Sequence, residues 1–265
     1  MNSVTLNPDL YPDILEEYVR YRRGFDSFLK FGIICDRSFN AMVYSFRRTR
    51  KIIFFDSRVI FYLKKMKYEF FIECHEYVGF IRTLLEIAVS FAVQIEFKDD
   101  AMRWQDHVFE ILSKNLRQRE LEIIGLRKGD FSAMLNYLTK MDRLKCEFNV
   151  IEFDIYFKYY HQVQYLEKFF KNLKRIFSNV PKLIISSKIY NGVSHGLEAD
   201  ILRDLVKFVD DASQKEIFLR IIMDIGFRCI DCIQVPVEYV KKSAREFFWE
   251  SKVNGNKTVS VEFVI

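Results

Sequence analysis

The chain has 265 residues, of which 50% are hydrophobic, enough for one large or two small domains with a real core. A formal net charge of +5, from 41 basic and 36 acidic side chains, is too small to indicate nucleic-acid binding by bulk charge. With only 9 glycines and 4 prolines, tight turns are few, which argues against sandwiches and barrels and favours an all-α helical bundle.

Apolar side chains recur at spacings of three and four along most of the chain, which predicts helices. In chain order we expect helices over residues 13–46, 68–97, 101–124, 130–144, 158–177, 183–210 and 214–234, and a short one ending at Phe248. Residues 125–129 are predicted to be a loop and are the only plausible domain boundary. Residues 146–157 are ambiguous between helix and strand. The prediction is a single domain over 1–265, with a helical core at about 60–210 and a C-terminal extension over 236–265.

The C-terminus has a different pattern. Apolar and polar residues alternate on both sides of Asn254-Gly255, the dipeptide that favours a tight hairpin turn. We therefore predict a short C-terminal β-hairpin.

Basic residues are concentrated over residues 47–67, where Asp56 is the one acid. Interleaved aromatic side chains include Phe54 and Phe61. Basic groups neutralise phosphates and aromatic faces stack bases, so this stretch is a candidate RNA-binding surface. The alternative is an amphipathic helix with a solvated basic face. The residues concerned are Arg47, Arg48, Arg50, Lys51, Arg58, Lys64, Lys65 and Lys67.

Five cysteines without regular spacing do not indicate a disulfide framework. Cys229 and Cys232 form a C-x-x-C within an apolar segment, which favours small buried side chains over a redox or metal role. The N-terminus lacks a basic start and an apolar run, and the most apolar window contains Arg82 and Glu86. We therefore expect a cytoplasmic protein without a membrane segment, and we expect no cofactor and no metal.

Two segments are candidates for chemistry. Arg82 and Glu86 lie four residues apart in an apolar helix and should pair with each other or with a neighbouring helix. Asn191, Ser194 and His195 place three polar groups close together, and histidine can act as general base or acid. In each case a packing role is the alternative.

Together, R-x-L-L-E at 82–86 and Y-N-x-x-S-H-G at 190–196 resemble the HEPN-domain superfamily. The resemblance implies an all-α bundle, commonly a homodimer, that cleaves RNA without a metal through an R-N-x-x-x-H motif. Asn191 and His195 match that motif, whereas Tyr190 stands where it has arginine. Lys188 or Arg82 would then have to supply the positive charge.

Three functions remain open at this point. The first is a metal-independent endoribonuclease of a defence or toxin system. The second is a non-catalytic HEPN-like module that binds a nucleotide, RNA or an operon-encoded protein partner. The third is an unrelated helical interaction protein in which both motifs serve packing.

Overall fold

A computed structural model describes residues 7–22, 25–63, 66–71, 78–98, 102–114, 120–130, 138–141, 147–157, 166–189, 197–224, 235–253 and 255–264. The chain divides into two compact units. The N-terminal unit holds Met1–Phe97 and Ala101–Arg117, and the C-terminal unit holds Lys98–Asp100 and Gln118–Ile265. Both units contain multi-strand sheets, so the fold is mixed α/β and the predicted all-α, HEPN-like helical bundle is wrong. The single domain stays a prediction.

Three helices open the N-terminal unit and confirm the prediction over residues 13–46. After a 3₁₀ turn at Pro8–Leu10 these are α1 (Tyr11–Arg22), α2 (Phe25–Gly32) and α3 (Asp36–Phe46). There follow β1 (Thr49–Phe54), β2 (Arg58–Leu63), β3 (Met66–Phe71), α4 (Val78–Phe91), β4 (Gln94–Lys98) and α5 (Met102–Lys114). The strand order in this unit is β3-β2-β1-β4, with β1 antiparallel to β2 and parallel to β4.

Aromatic side chains join these helices to the sheet. Phe46 of α3 and Phe28 of α2 both contact Phe70 of β3, with ring centroids 6.1 Å apart in each case. Phe54 and Phe97 stack at 5.1 Å between β1 and β4. All five rings are at most 2% exposed, so one face of the sheet is closed by helices and contributes apolar burial to stability.

The C-terminal unit is built on parallel strands. Its elements are β5 (Glu120–Asp130), β6 (Glu147–Phe157), α6 (Leu166–Ile176), β7 (Lys182–Ile189), α7 (Leu197–Asp210), β8 (Glu216–Asp224), β9 (Val240–Lys241), β10 (Glu246–Glu250) and β11 (Lys257–Val264). The strand order is β5-β6-β7-β8-β11-β10, with the two-residue β9 at the outer edge of β10. Each of β5, β6, β7, β8 and β11 runs parallel to the next, and β10 is antiparallel to β11.

The predicted C-terminal hairpin is confirmed as β10 and β11. Its second strand also pairs with β8, so the hairpin completes a larger sheet. Lys257 at the start of β11 is buried and donates hydrogen bonds to the carbonyl oxygens of Asp210 (2.8 Å) and Ala212 (2.6 Å). A cation at the C-terminal end of α7 satisfies carbonyls that the helix itself leaves open, which holds α7 against the hairpin.

Several predicted helices are strands instead. Residues 182–189 and 216–224 form β7 and β8, and the two ends of the predicted helix over 68–97 lie in β3 and β4. Residues 120–130 form β5 across the predicted loop, and the segment up to Phe248 contains β9 and the start of β10. The ambiguous segment after Cys146 is β6. Short apolar runs of buried parallel strands resemble helix segments in periodicity, and this ambiguity produced the errors. Helices are confirmed at α4, α5, α6 and α7, each shorter than predicted.

Candidate binding surface

Arg82 and Glu86 lie on the solvent side of α4. Their four-residue spacing does place them on one helix face, but that face is exposed, so neither charge is buried as the apolar window had suggested. The buried side of α4 is formed by Ile81, Leu84 and Leu85. Because both charges remain in water, neither incurs the desolvation cost that would require a buried partner.

His107 on α5 is the histidine whose pKa is affected by the charge of Arg82. Burial lowers the pKa of His107, the positive charge of Arg82 lowers it further, and Glu86 and Glu110 oppose that shift. Both ring nitrogens are buried, and neither has a hydrogen-bond partner among the described residues. Because neither nitrogen has a hydrogen-bond partner in that part of the chain, we interpret His107 as part of the packing between α4 and α5.

The second predicted segment is divided by the end of β7. Lys188 lies on this strand and is half-buried, so the predicted helix is wrong at this residue. Tyr190, Asn191, Ser194 and His195 lie outside the described residues. Arg82 belongs to the N-terminal unit and Lys188 to the C-terminal unit, and their convergence on one site stays a prediction. Cys229 and Cys232 also lie outside the described residues.

The basic stretch 47–67 forms strands, so the amphipathic-helix alternative is wrong. Arg47 and Arg48 follow α3, Arg50 and Lys51 lie on β1, Arg58 starts β2, Lys67 lies on β3, and Lys64 and Lys65 lie outside the described residues. Part of the charge is neutralised within the unit, because Arg58 and Lys67 both approach Glu69, at 2.5 and 3.9 Å. Arg47, Arg48 and Arg50 are exposed. The stretch as an RNA-binding surface stays a prediction.

A buried carboxylate lies on β4 of the N-terminal sheet. The side chain of Glu96 on β4 is 2% exposed and accepts hydrogen bonds from Lys51 (2.5 Å) and Gln94 (2.9 Å). A buried charge needs such partners to offset the loss of hydration. Lys51 is therefore committed to the sheet, which removes it from the set of freely available basic groups.

The C-terminal sheet has two unlike faces. Along β6, β7, β8 and β11, buried and partly exposed residues alternate, so each strand sends every second side chain to the same side. One side, the covered face, is mostly apolar and closed by helices. Phe153 meets Phe169 of α6 at 5.4 Å, and α6 and α7 contact each other through Phe170 and Phe208 at 5.7 Å.

The opposite side, the open face, is partly exposed on every strand whose side chains are described. The strand register sets the side chains of the open face opposite one another, so that they form rows across β6, β7, β8, β11 and β10. They are Val150, Glu152, Asp154, Lys182, Ile184, Ser186, Lys188, Glu216, Phe218, Arg220, Ile222, Asp224, Thr258, Ser260, Glu262, Val264, Glu246, Phe248 and Glu250. Phe218 lies on β8, the central strand of this face, and is 40% exposed.

Strand order explains why the helices lie on one side. The parallel strands follow one another across the sheet in sequence order, and crossovers between parallel strands are right-handed in about 98% of cases. Right-handed crossovers that advance in one direction place their helices on the same face. A doubly wound sheet reverses direction and covers both faces, with its ligand crevice at the reversal. Among the described strands β5 to β8 and β11 there is no such reversal.

Sequence reasoning missed the open face, although its signal is present. In β8 the sequence E-I-F-L-R-I-I-M-D places the buried residues Ile217, Leu219, Ile221 and Met223 at every second position, and the more exposed Phe218, Arg220 and Ile222 alternate with them. The same alternation was used to predict the hairpin at β11. It went unused in β8 because the flanking apolar residues also fit a helix.

Within the described residues, no three or more His, Cys, Asp or Glu side chains are grouped to hold a metal ion. No helix in that part of the chain is long and apolar enough to cross a membrane. Comparison with protein-family models, curated protein sequences and solved structures finds no match to this chain.

Proposed function

We propose that this chain is a binding module that recognises a macromolecular partner on the open face of its C-terminal sheet. The observation that carries the proposal is a parallel sheet covered on one side only. Parallel sheets almost always have both faces buried, and their strands then read as continuous apolar runs. Here the strands alternate, which supports a face built to meet something other than the chain's own helices.

The chemical character of the open face supports binding over catalysis. Its side chains form a broad surface in which apolar residues such as Phe218 and Ile222 lie among charged ones. An exposed apolar ring surrounded by polar groups is typical of protein interaction sites.

RNA cleavage stays a separate prediction. The bundle that the HEPN resemblance implies is not the fold of this chain, so the resemblance no longer supports that activity. The test remains direct: purified protein is incubated with total RNA in the presence of a chelator, and His195→Ala is compared with wild type. No cleavage by wild type at high concentration would reject this function.

The binding proposal is tested by site-specific photocrosslinking. A photoreactive phenylalanine analogue is placed at Phe218 on the open face or, as a matched control, at exposed Lys207 on α7. We expect a discrete adduct from an extract of the source organism at position 218 only. The captured partner, purified, should bind wild type in a fixed stoichiometry and lose binding to Phe218→Glu. Equal adducts at both positions, or binding insensitive to Phe218→Glu in a folded variant, would reject the proposal.

A further inference from the structure

Three basic side chains of the stretch 47–67 are exposed and have no carboxylate partner among the described residues. They form what we call the arginine cluster: Arg47, Arg48 and Arg50. The other described bases of the stretch are paired with Glu69 or with the buried Glu96. The sequence from Arg37 to Phe55 contains no acidic residue, so the cluster lies in a locally positive part of the chain.

The ends of two helices and the start of a strand bring the arginine cluster together. Arg47 and Arg48 directly follow α3, and Arg50 lies on β1. The backbone carbonyl of Arg50 accepts a hydrogen bond of 3.0 Å from the N–H of Val93. Val93 comes two residues after Phe91, whose ring at the end of α4 lies beside the guanidinium of Arg47. All of these residues belong to the N-terminal unit, so the cluster is separate from the open face.

Two exposed aromatic rings belong to the same surface. The Cζ of Arg48 lies 4.8 Å from the ring centroid of Tyr44, and the Cζ of Arg47 lies 5.9 Å from that of Phe91. Tyr44 is 47% exposed and Phe91 is 36% exposed. A guanidinium over an aromatic ring is attracted by the ring quadrupole and keeps its charge and its N–H donors. The surface therefore combines positive charge with planar groups that solvent reaches.

We propose that the arginine cluster, together with Tyr44 and Phe91, binds single-stranded RNA. Guanidinium groups neutralise phosphates, and unpaired bases stack on aromatic rings and on guanidinium planes. The carboxylates of an acidic polypeptide would use the charge alone and leave the rings unused. Unpaired bases are common in the loops and ends of RNA, whereas a duplex keeps its base faces within the stack. The inference goes beyond the proposed function and requires no cleavage.

A contribution to helix stability accounts for only part of this surface. The C-terminal end of a helix carries partial negative charge, which favours cations such as Arg47 and Arg48 near the end of α3. That effect explains neither Arg50, which lies on β1, nor the two rings that stay in water. The test therefore measures binding and stability separately.

The probe is a short fluorescent oligouridine, and the comparison probes are oligoglutamate of the same length and an RNA duplex. The charge variant is Arg48→Gln with Arg50→Gln. Its matched control is Lys30→Gln with Arg37→Gln, which removes the same charge from exposed positions on α2 and α3. The stacking variant is Tyr44→Leu, and its matched control is Tyr44→Phe, which keeps the ring.

We expect the full chain to bind oligouridine more tightly than either comparison probe. The charge variant should bind about tenfold more weakly, and its control should change affinity less than about twofold. Each phosphate contact on a single strand contributes about 0.7 to the slope of log affinity against log salt, so the charge variant should lower the magnitude of that slope by about 1.4. Tyr44→Leu should weaken binding at least about fivefold, and Tyr44→Phe less than about twofold. Coincident thermal unfolding of the variants and wild type establishes that they fold.

No binding of oligouridine, or equal binding of oligoglutamate or the duplex, would overturn the inference. So would an unchanged salt slope in the charge variant, equal losses in that variant and its control, or wild-type affinity in Tyr44→Leu. Thiouridine-containing RNA, photocrosslinked and mapped by mass spectrometry, should label the peptide that holds Tyr44, and labelling only of the C-terminal unit would place the RNA elsewhere and reject the site. Crosslinking at Phe218 probes the other unit, so this inference and the proposed function fail independently.

Discussion

Phe218 and Leu219 are neighbours on β8 that point to opposite faces of the C-terminal sheet. Leu219 is 3% exposed on the covered face, and Phe218 is 40% exposed on the open face. Replacing each with alanine therefore compares the two faces at one point of the backbone. If the sheet is covered on one side only, Leu219→Ala should lower the free energy of unfolding more than Phe218→Ala, although leucine is the smaller side chain.

The expected magnitudes follow from burial. Leu219→Ala removes buried methyl groups and leaves a cavity, at a cost of about 2–5 kcal/mol. Full burial of a phenylalanine is worth about 1.5–3 kcal/mol, and Phe218 keeps 40% of its surface in water, so Phe218→Ala should cost about 1–2 kcal/mol. No cavity adds to this value because solvent fills the space.

The assay is urea unfolding followed by tryptophan fluorescence. The chain has 2 tryptophans, and a Trp104→Phe background leaves Trp249, which is 8% exposed in the C-terminal unit, as the reporter. Midpoints are compared at constant slope, which keeps the measured difference a difference in stability. A loss for Phe218→Ala equal to or greater than that for Leu219→Ala would show that the open face is covered and refute the reasoning.

Three further predictions concern single side chains. Glu96→Gln removes the buried charge that pairs with Lys51, and Lys51 can recover hydration because its side chain is 27% exposed. The free energy of unfolding, followed through the fluorescence of Trp104, should fall by about 1–2 kcal/mol. An unchanged free energy of unfolding would contradict the buried pair. Lys257→Met leaves two carbonyls at the end of α7 without their donor and should cost about 1–3 kcal/mol by urea unfolding, whereas increased stability would contradict this. Burial lowers the pKa of His107, so at a pH just below the ordinary pKa of histidine the unfolded chain binds more protons than the folded chain. The free energy of unfolding should therefore fall as the pH drops through that range. His107→Gln should flatten this pH dependence, measured by thermal unfolding.

Parts of the fold could be predicted where local chemistry decides the structure. Spacings of three and four in the first 46 residues predict α1 to α3, and Asn254-Gly255 between alternating segments predicts the final hairpin. Both signals lie within a few residues of the chain and need no knowledge of distant contacts. The parallel strands differ, because β7 and β8 become strands through pairing with segments about 35 residues away.

The candidate sites show the same division. The sequence could place Arg82 and Glu86 on one side of a helix, since that follows from the helical repeat. The sequence could not tell whether the side of α4 that carries Arg82 and Glu86 faces the core. The elements packed against α4 determine this, and they bury Ile81 and Leu84 instead. The open face was inaccessible for a further reason: its members come from five strands, and only the strand order brings them together.

A solvated polar surface is the simplest alternative to a binding face, and the composition of the rows argues against it. A surface made only for solvent needs no aromatic ring at its centre, yet Phe218 lies between Ile184 on β7 and Thr258 on β11, with 40% of its surface in water. In the neighbouring row, Arg220 reaches Glu262 across the sheet. Weak ion pairs around exposed apolar groups cost little to rearrange, and burying those groups beneath a partner supplies favourable free energy that solvent does not. The pattern is therefore better explained by a ligand than by water.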